Sequence, residues 1–465
     1  MHELDYFFTP SAVAVLGASS TPGKIGYEVL KNLARGEFKG KIYAVNPREK
    51  KILGVDTYPD INDIPDRVDL AVISLPAKII PQIIESCGRK GVKAAVIISG
   101  GFRELGGDGA RYEASMVETA KKYGIRVVGP NCIGVFDGRS RLDTFFQPMD
   151  AMMRPGPGSI SFLTQSGTYG VSILEWLAEE HAGISRFISY GNKSDVNEID
   201  SINYLAQDTE TKVIGIYLEG LRKNEGKEFL RIAKDVSRKK PIVVIKAGVT
   251  KAGAKAASSH TGAMAGDSRV FAGAFEQSGI VVAEDLEEML DILKIFAMQP
   301  LPKGGAIGMT TNGVGPCVVA IDFLSKYTNL RLAELPPESM EKLRQQIPPF
   351  CVFDNPLDLT GSADASMYKA ALDYLGEQSG VDILMPFFVY QDAPLAVTSD
   401  EMHRILVETK RFGKTLVGVA SGADFTRRVS ANLQRDGIPM IPTPRRAVSA
   451  VSKVLKYAEW KRRNM

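Results

Sequence analysis

One histidine stands apart from the other candidates for chemistry in this chain. His260 lies in a run of small residues, Ala256-Ala-Ser-Ser-His-Thr-Gly-Ala-Met-Ala-Gly266. Such neighbours leave room for a bulky group and let the backbone come close to the ring. No second histidine, cysteine pair or carboxylate stands beside it at metal-ligand spacing, so we expect no metal. A solitary imidazole in such a loop is suited to carry a group as a nucleophile; a histidine that only hydrogen-bonds its own loop is the alternative.

Length and composition describe an ordinary globular chain. The 465 residues predict about three domains. A net charge of +3 with 24% charged residues argues against general nucleic-acid binding, which needs a pronounced basic stripe. No apolar run approaches the roughly 20 residues of a membrane span, and the N-terminus lacks the pattern of a signal peptide. Cys87, Cys132, Cys317 and Cys351 are far apart, which favours reduced thiols and a cytoplasmic location.

Short apolar runs alternate with helical patterns along the whole chain, and this alternation predicts parallel sheets covered on both faces. The pattern predicts an α/β protein of three consecutive doubly wound units. We expect a first domain over residues 1–138, a linker rich in proline and glycine over 139–158, and two further domains over 159–300 and 301–465. In such sheets ligands bind beyond the carboxyl ends of the strands, so functional residues are expected directly after strands.

The first strand leads into a glycine-rich turn, Gly17-Ala-Ser-Ser-Thr-Pro-Gly-Lys-Ile-Gly26. Its backbone N–H groups are expected to face an anion at a helix N-terminus. A Walker A loop is excluded because five residues intervene between Gly17 and Gly23, and Ile25 follows the lysine. The second strand ends in Val45-Asn-Pro-Arg48 without the acid typical of NAD sites, which favours a phosphorylated ribose, as in NADP or coenzyme A. A purely structural turn is the alternative.

Two later loops also follow predicted strands, Ser74-Leu-Pro-Ala77 and Ser99-Gly-Gly-Phe102. They favour a ligand-binding site over a purely structural turn. The glycines of the second allow close approach of a slender chain such as pantetheine. Further motifs follow in order along the chain: Gly129-Pro-Asn-Cys-Ile-Gly134, Gln165-Ser-Gly-Thr168, Ser259-His-Thr-Gly262, Thr310-Thr-Asn-Gly-Val-Gly315 and Asn355-Pro-Leu-Asp-Leu-Thr-Gly361. Together with the first turn and Val45-Asn-Pro47, they resemble the nucleoside-diphosphate-forming acyl-CoA synthetases, the superfamily of succinyl-CoA synthetase. The resemblance is closest to the alpha subunits of archaeal ADP-forming acetyl-CoA synthetases and covers essentially the whole chain.

The resemblance implies a Rossmann-like CoA-binding domain followed by two flavodoxin-like CoA-ligase domains. It implies that an acyl-CoA, with acetyl-CoA the expected one, ADP and phosphate are interconverted with acid, CoA and ATP. The implied route passes through an enzyme-bound acyl phosphate and a phosphohistidine at His260. The chain shows no ATP-grasp segment, so the nucleotide and its Mg²⁺ are expected on a separate ATP-grasp beta subunit, in an α2β2 assembly.

The resemblance also assigns roles to individual residues. Glu219, directly after the predicted strand 213–218, would fix the tautomer of His260 and stabilise the cation that forms. CoA binding is implied for Gly17, Ser19, Ser20, Lys24, Asn46, Pro76 and Gly100. Acyl or phosphate binding is implied for Asn131 and for two helix starts, Ser166, Gly167 and Thr168 in one and Asn312, Gly313, Val314 and Gly315 in the other. Cys132 is expected to be a structural thiol, because the phosphoryl route needs no thiol intermediate.

Two other functions remain open from the residues alone. One is a CoA-binding regulatory protein, or the CoA-ligase part of a protein acetylation system, without phosphoryl transfer. The other is an NADP-dependent oxidoreductase, which the glycine spacing of the first turn disfavours.

Overall fold

The computed structural model describes residues 2–253, 255 and 268–465. His260 and the other residues of the stretch 256–267 lie outside the described residues. The chain divides into two compact units. The first comprises Met1–Ala178 with Gly183–Val282, and the second comprises Glu179–Ala182 with Ala283–Met465.

The described residues form three sheets, joined by helices. The strands are β1 (Ala12–Leu16), β2 (Lys41–Val45), β3 (Lys51–Ile52), β4 (Val55–Tyr58), β5 (Leu70–Ile73), β6 (Ala94–Ile97), β7 (Arg126–Val128), β8 (Val135–Asp137), β9 (Pro157–Thr164), β10 (Ile184–Ser189), β11 (Val213–Leu218), β12 (Ile242–Lys246), β13 (Ile280–Val282), β14 (Ala306–Thr311), β15 (Arg331–Leu332), β16 (Leu357–Asp358), β17 (Ile383–Phe388), β18 (Thr415–Leu416), β19 (Gly418–Ala420) and β20 (Met440–Ile441). The helices are α1 (Ile25–Arg35), α2 (Ile80–Lys90), α3 (Gly107–Tyr123), α4 (Gly167–Glu179), α5 (Glu198–Gln207), α6 (Gly226–Ser237), α7 (Ser268–Gln277), α8 (Leu286–Met298), α9 (Gly315–Leu324), α10 (Glu341–Arg344), α11 (Ala365–Glu377), α12 (Ala393–Val397), α13 (Ser399–Thr409), α14 (Asp424–Arg435) and α15 (Pro444–Asn464).

The first sheet has the strand order β3-β4-β2-β1-β5-β6-β7 and is parallel except between β3 and β4. Its central strand β1 is buried along its whole length. Val13 and Val15 point into one core, whereas Ala12, Ala14 and Leu16 point into the core on the other face, because successive side chains of a strand alternate. Helices on both faces therefore explain the continuous apolar run. The order of the strands reverses between β1 and β5, which is the switch point where such sheets bind ligands.

The second sheet has the order β13-β12-β11-β9-β10-β8. Its five parallel strands follow the flavodoxin-like arrangement, with the switch point between β9 and β11. The sixth strand, β8, comes from the stretch that the sequence assigned to the first domain, and it pairs antiparallel with β10. Asp137 of β8 forms a buried ion pair with Arg186 of β10. The first two sheets also share one hydrophobic core, so both belong to the first compact unit; the boundaries at 138, 158 and 300 stay predictions.

The third sheet has the order β15-β14-β17-β19-β20, with β16 beside β14 and β18 beside β17. It repeats the arrangement of the second sheet, so its switch point lies between β14 and β17. Both of these strands are buried throughout and belong to the second compact unit. The predicted α/β class with three doubly wound sheets is confirmed. In the part of the chain that the structure describes, no helix is both long and apolar enough to cross a membrane.

Candidate active site

The glycine-rich turn after β1 lies at the switch point of the first sheet. Gly17 has φ +87°, and a Cβ at this position would stand 2.6 Å from the carbonyl oxygen of Ser74, which follows β5. A side chain is excluded on both counts. Asn46, at the end of β2, donates from Nδ2 to the carbonyl oxygen of Ala18 at 2.8 Å. The ends of β1, β2 and β5 therefore converge on one turn.

The other residues predicted to bind CoA lie around this turn or one strand away. Ser20 and Lys24 are exposed, and Lys24 directly precedes α1. The hydroxyl of Ser20 donates to Glu49 Oε1 at 2.7 Å. Ser19 lies beside Ser20 in the turn, Pro76 is exposed after β5, and Gly100 is exposed after β6. The structure thus places all seven residues beyond the carboxyl ends of the first sheet.

Asn131 lies beside Gly100. Its Oδ1 stands 3.4 Å from the position that a Cβ at residue 100 would take, and its backbone N–H donates to the carbonyl oxygen of Ser99 at 2.9 Å. Asn131 is exposed and has φ +58°. The loop predicted to hold the acyl group is therefore adjacent to the last loop predicted to hold CoA.

Asn192 supports Asn131 from the second sheet. Asn131 Nδ2 lies 3.4 Å from Asn192 Oδ1, and Asn192 Nδ2 donates to Glu104 Oε2 at 2.6 Å and Glu113 Oε2 at 3.0 Å. Burial acts to raise the pKa of the Glu104 carboxyl, but hydrogen bonds from Asn192 and the amide of Phe102 outweigh it, and the pKa is lowered. Glu104 is thus held as a carboxylate between the two sheets.

Cys132 follows Asn131 and points away from the loop surface. Its side chain is buried, and Sγ lies 3.3 Å from the carbonyl oxygen of Ile97. Burial raises the pKa of the thiol to about 12, so it is neutral at physiological pH and a poor nucleophile. These facts support the expectation of a structural cysteine.

The start of α4 lies against the same loop. Thr164 ends β9, and its hydroxyl accepts from the N–H of Ser166 at 3.0 Å and donates to the carbonyl oxygen of Ser166 at 2.7 Å. A Cβ at Gly167 would stand 2.8 Å from Cγ2 of Ile133, and Thr168 is exposed. Since the first N–H groups of a helix have no partner inside it, this helix start can bind an anion next to the predicted acyl loop.

Glu219 follows β11 and has its backbone fixed on both sides. The N–H groups of Glu219 and Gly220 donate to Oε1 of Gln165 at 2.7 and 3.2 Å. The carbonyl oxygens of the same two residues accept from Lys246 Nζ at 2.7 Å and Lys193 Nζ at 2.6 Å, respectively. This residue is therefore held at the switch point of the second sheet, one strand from the start of α4.

The Glu219 carboxylate is buried, with 7% of the residue exposed. Among the described residues its Oε2 has no hydrogen-bond partner. Burial raises the pKa of nearby Tyr217 to about 12, with the charges of Glu219 and Tyr169 adding to the effect, and the rings of the two tyrosines stack at 4.4 Å. Burial lowers the pKa of Lys246, against the charge of Glu219. A buried acceptor without a partner is uncommon in proteins, and here it is available to a group brought to the site.

The second predicted helix start lies in the second compact unit. Thr311 ends β14, and its hydroxyl accepts from the N–H of Gly313 at 3.0 Å and donates to the carbonyl oxygen of Gly313 at 2.8 Å. The Asn312 side chain is buried: Oδ1 accepts from the N–H of Val389 and the hydroxyl of Tyr368, and Nδ2 donates to the carbonyl oxygen of Val389 and to Asp392. Because the N–H of Gly313 is bound by Thr311, any donors to a phosphate here would be the backbone N–H groups of Val314 and Gly315, which are both exposed residues.

The first compact unit thus brings together the CoA turn, Asn131, the residues Ser166–Thr168 and Glu219. The loop Asn312–Gly315 belongs to the second unit, and His260 lies outside the described residues. Over residues 2–253, 255 and 268–465, no group of three or more His, Cys, Asp or Glu is placed to hold a metal ion.

Comparison with known proteins identifies the family. Residues 11–137 match the CoA binding domain, residues 157–296 the succinyl-CoA ligase like flavodoxin domain, and residues 307–446 the ligase-CoA domain. The alpha subunit of ADP-forming acetate–CoA ligase II from Pyrococcus furiosus is 38% identical over 458 residues, which cover 98% of each chain. The chain belongs to the family of ADP-forming acetate–CoA ligase alpha subunits.

Two more relatives describe this ligase family further. ADP-forming acetate–CoA ligase I of Archaeoglobus fulgidus is 39% identical over 98% of this chain but only 64% of its own length. The structure of dinucleotide forming acetyl-coenzyme A synthetase 1 from Ca. Korarchaeum cryptofilum, in complex with phosphate and ADP, superimposes with a TM-score of 0.89. It is 36% identical and matches 99% of this chain and 97% of its own.

Sequence reasoning missed several residues of this candidate site. Glu104 stood outside the motifs that indicated a site. Asn192 and Lys193 follow β10, a strand that the sequence did not predict, so they were not recognised as residues at the end of a strand. Gln165 stood in a motif that the resemblance included, but its contact with Glu219 joins residues 54 positions apart. The sequence did not reveal that β9 and β11 are neighbours, which is what brings these two residues together.

Proposed function

We propose that this chain carries out the acyl-CoA half-reaction of an ADP-forming acetate–CoA ligase. In the complete reaction, acetyl-CoA, ADP and phosphate are interconverted with acetate, CoA and ATP. Full-length relatives named for this activity support the proposal. The observation that carries the mechanism is the fixed, buried Glu219, whose Oε2 has no partner among the described residues, one strand from an anion-binding helix start.

The first chemical step is proposed to take place between the residues that bind CoA and the start of α4. A phosphate oxygen attacks the carbonyl carbon of the thioester, the carbon–sulfur bond breaks, and CoA leaves as its thiol with a proton from the medium or the phosphate. The acyl phosphate that results remains bound. Asn131 is proposed to hold the acyl carbonyl. The backbone N–H groups of Gly167 and Thr168 are proposed to hold the phosphate, since the N–H of Ser166 is bound by Thr164. The contacts from Gly100 to Asn131 and from Ile133 to Gly167 support this arrangement.

The second step transfers the phosphoryl group to His260. A neutral imidazole nitrogen attacks phosphorus, the bond to the acyl oxygen breaks, and acetate leaves. The imidazole must present a lone pair before the step and carries positive charge after it. Glu219 is proposed to accept the N–H on the other side of the ring and to stabilise that charge. In the reverse direction the same carboxylate would hold the same tautomer.

The nucleotide step is proposed to take place on a partner. A separate ATP-grasp beta subunit would bind ADP with Mg²⁺ in an α2β2 assembly in the cytoplasm. Two relatives support this division of labour: one is named as an alpha subunit, and the other extends well beyond the 64% of its length that this chain matches. The loop Asn312–Gly315 is proposed to supply further backbone donors to the phosphohistidine.

Labelling of the chain tests the phosphoryl carrier. The purified chain is incubated with acetyl-CoA, phosphate and Mg²⁺, kept alkaline because phosphohistidine is lost in acid, and analysed by intact-mass and peptide mass spectrometry. We expect one phosphoryl adduct on the peptide that contains His260, and none in His260→Ala, which should still bind CoA.

His403→Ala is the matched control, because His403 pairs with Asp436 in the second unit and has no proposed role in the reaction. Its labelling should equal that of the unmodified chain. Should ATP with a co-purified beta subunit also fail to label the protein, the carrier role is wrong. A CoA-binding regulatory protein without phosphoryl transfer would then be the better interpretation.

A further inference from the structure

Gln165 occupies the junction between the strand β9 and the start of α4. It stands between Thr164, the last residue of the strand, and Ser166, the first residue of the predicted phosphate site. Only 4% of it is exposed. Backbone N–H groups can only donate, so the amide oxygen of Gln165 must face Glu219 and Gly220. The orientation of this side chain is therefore fixed by its partners.

These hydrogen bonds fix the position of the Glu219 backbone, from which the side chain extends. With the N–H groups held by Gln165 and the carbonyl oxygens held by Lys246 and Lys193, the peptide after β11 has little freedom to turn. The carboxylate takes no part in this support, since its Oε2 has no partner among the described residues. The backbone is thus bound by four contacts, while the carboxyl group is left available.

The third sheet contains the same junction with valine at the position of Glu219. Asn312 stands after the last residue of β14, as Gln165 stands after that of β9, and accepts from the N–H of Val389 at 2.9 Å. Val389 follows β17 as Glu219 follows β11. An amide side chain therefore ties the first strand to its neighbour at both switch points. Only in the second sheet is the residue whose N–H it accepts an acid; in the third sheet the amide itself binds the nearby acid, Asp392.

We propose that Gln165 is a positioning residue for phosphoryl transfer. Its amide oxygen fixes Glu219 relative to the start of α4, so that the carboxylate and the N–H groups that bind phosphate keep one geometry. This inference rests on the proposed function, and in particular on Glu219 acting on His260. Gln165 itself is not required to touch the substrate.

A double-mutant cycle tests this role. Gln165→Met keeps the length of the side chain and removes the acceptor oxygen. We expect it to lower kcat for ATP formation by about 10- to 100-fold, because a displacement near 1 Å at a reacting group has effects of this size. The KM for acetyl-CoA should change by less than about twofold, since substrate binding is not the step affected. In a Glu219→Gln background, adding Gln165→Met should cost less than about threefold more, because residues that act as a unit are not additive.

Gln434→Met is the matched control. Gln434 is also 4% exposed, and its amide donates to the carbonyl oxygen of Glu180 at 2.8 Å in the second compact unit. It should leave kcat within about twofold of the unmodified enzyme, as a buried amide that serves structure alone. If Gln165→Met folds poorly, Gln165→Glu replaces it; this variant keeps an acceptor oxygen and should lose less activity than the methionine variant.

The outcomes separate this inference from the function on which it rests. If the losses of kcat in the cycle are fully additive, or if Gln165→Met raises KM and leaves kcat unchanged, the positioning role of Gln165 is overturned. The role of Glu219 is unaffected by either result. An unchanged rate in Glu219→Gln would instead contradict the role of Glu219, and the inference for Gln165 would fall with it. An equal loss in Gln434→Met would assign the effect of Gln165 to general packing.

Discussion

In both the second and the third sheet, a threonine ends the first strand and forms two hydrogen bonds with the residue two positions later. Thr164 bonds Ser166 in this way, and Thr311 bonds Gly313. The residue after each threonine has an amide side chain that reaches the end of the neighbouring strand. Helix α4 begins directly after Ser166, and helix α9 begins two residues after Gly313. The two turns share the same strand order and the same local geometry.

The difference lies in what each amide holds. Gln165 uses its oxygen on the backbone of Glu219 and Gly220. Asn312 uses both ends of its side chain, with hydrogen bonds to Val389, Tyr368 and Asp392. The first turn therefore stands beside a carboxylate that is free to act, whereas the second is closed by its own hydrogen bonds. In the proposed function, the first junction therefore places a carboxylate beside a phosphate-binding helix start, whereas the second supplies backbone donors alone.

The largest expected effect is the loss of the charge at residue 219. Glu219→Gln keeps the size of the side chain and should slow phosphorylation of His260 by about 10²- to 10⁴-fold, the range for losing a positioned proton-handling group. Single-turnover labelling with acetyl-CoA and phosphate measures this rate. The backbone contacts to Gln165 should persist, so the fold and CoA binding should not change.

Asp392→Asn is the matching change at the second turn. Asp392 accepts a hydrogen bond from Asn312 Nδ2 at 2.9 Å. The amide oxygen of an asparagine can still accept that bond, so the rate of His260 phosphorylation should fall by about threefold or less. A loss as large as that of Glu219→Gln would show that both turns carry essential charge. The distinction between them would then be wrong.

Much of this comparison was open to sequence reasoning, but its decisive contacts were not. The predicted strand 213–218 coincides with β11, because a buried parallel strand reads as a continuous apolar run. The strand β10 was missed, since Arg186 interrupts its apolar pattern, and the ion pair with Asp137 that allows burial of this arginine joins distant residues. The strings Thr-Gln-Ser-Gly and Thr-Asn-Gly-Val are recognisably similar, but only the pairing of β9 with β11 and of β14 with β17 reveals the partners of their amides.

Removing the amide of Asn312 should act on stability rather than on the chemical step. Asn312→Leu deletes the partner of the half-buried backbone N–H and carbonyl groups of Val389, while the Tyr368 hydroxyl keeps the carbonyl oxygen of Phe387. We expect the free energy of local opening to fall by about 2–4 kcal/mol, because buried polar groups left without partners are costly. Hydrogen exchange of the peptide that contains Val389 measures this change. Asn432→Leu, at an exposed position of α14, is the control and should shift it by less than about 0.5 kcal/mol. Unchanged exchange in Asn312→Leu would mean that other contacts hold the turn.

The smallest expected effect compares two tyrosines, one beside each turn. Tyr368 is fully buried, and its hydroxyl lies 2.8 Å from Asn312 Oδ1 and 2.6 Å from the carbonyl oxygen of Phe387. Tyr368→Phe should therefore destabilise the third sheet by about 1–2 kcal/mol. Among the described residues, none forms a hydrogen bond with the Tyr217 hydroxyl. The Tyr217 ring stacks on Tyr169, a contact that phenylalanine keeps. Tyr217→Phe should change stability by less than about 0.5 kcal/mol.

Both tyrosine variants are to be measured by hydrogen exchange near pH 8, where the phenols are neutral. Burial raises the pKa of Tyr217 to about 12, above the ordinary value near 10. Its folded state thus keeps a proton that the unfolded chain loses, and the stability from the neutral phenol is present below about pH 10 and lost as the pH rises towards 12. Above pH 10 the unmodified chain should therefore lose stability that Tyr217→Phe retains. An equal cost for the two variants at pH 8 would contradict the view that only the turn after β14 is closed by its own hydrogen bonds.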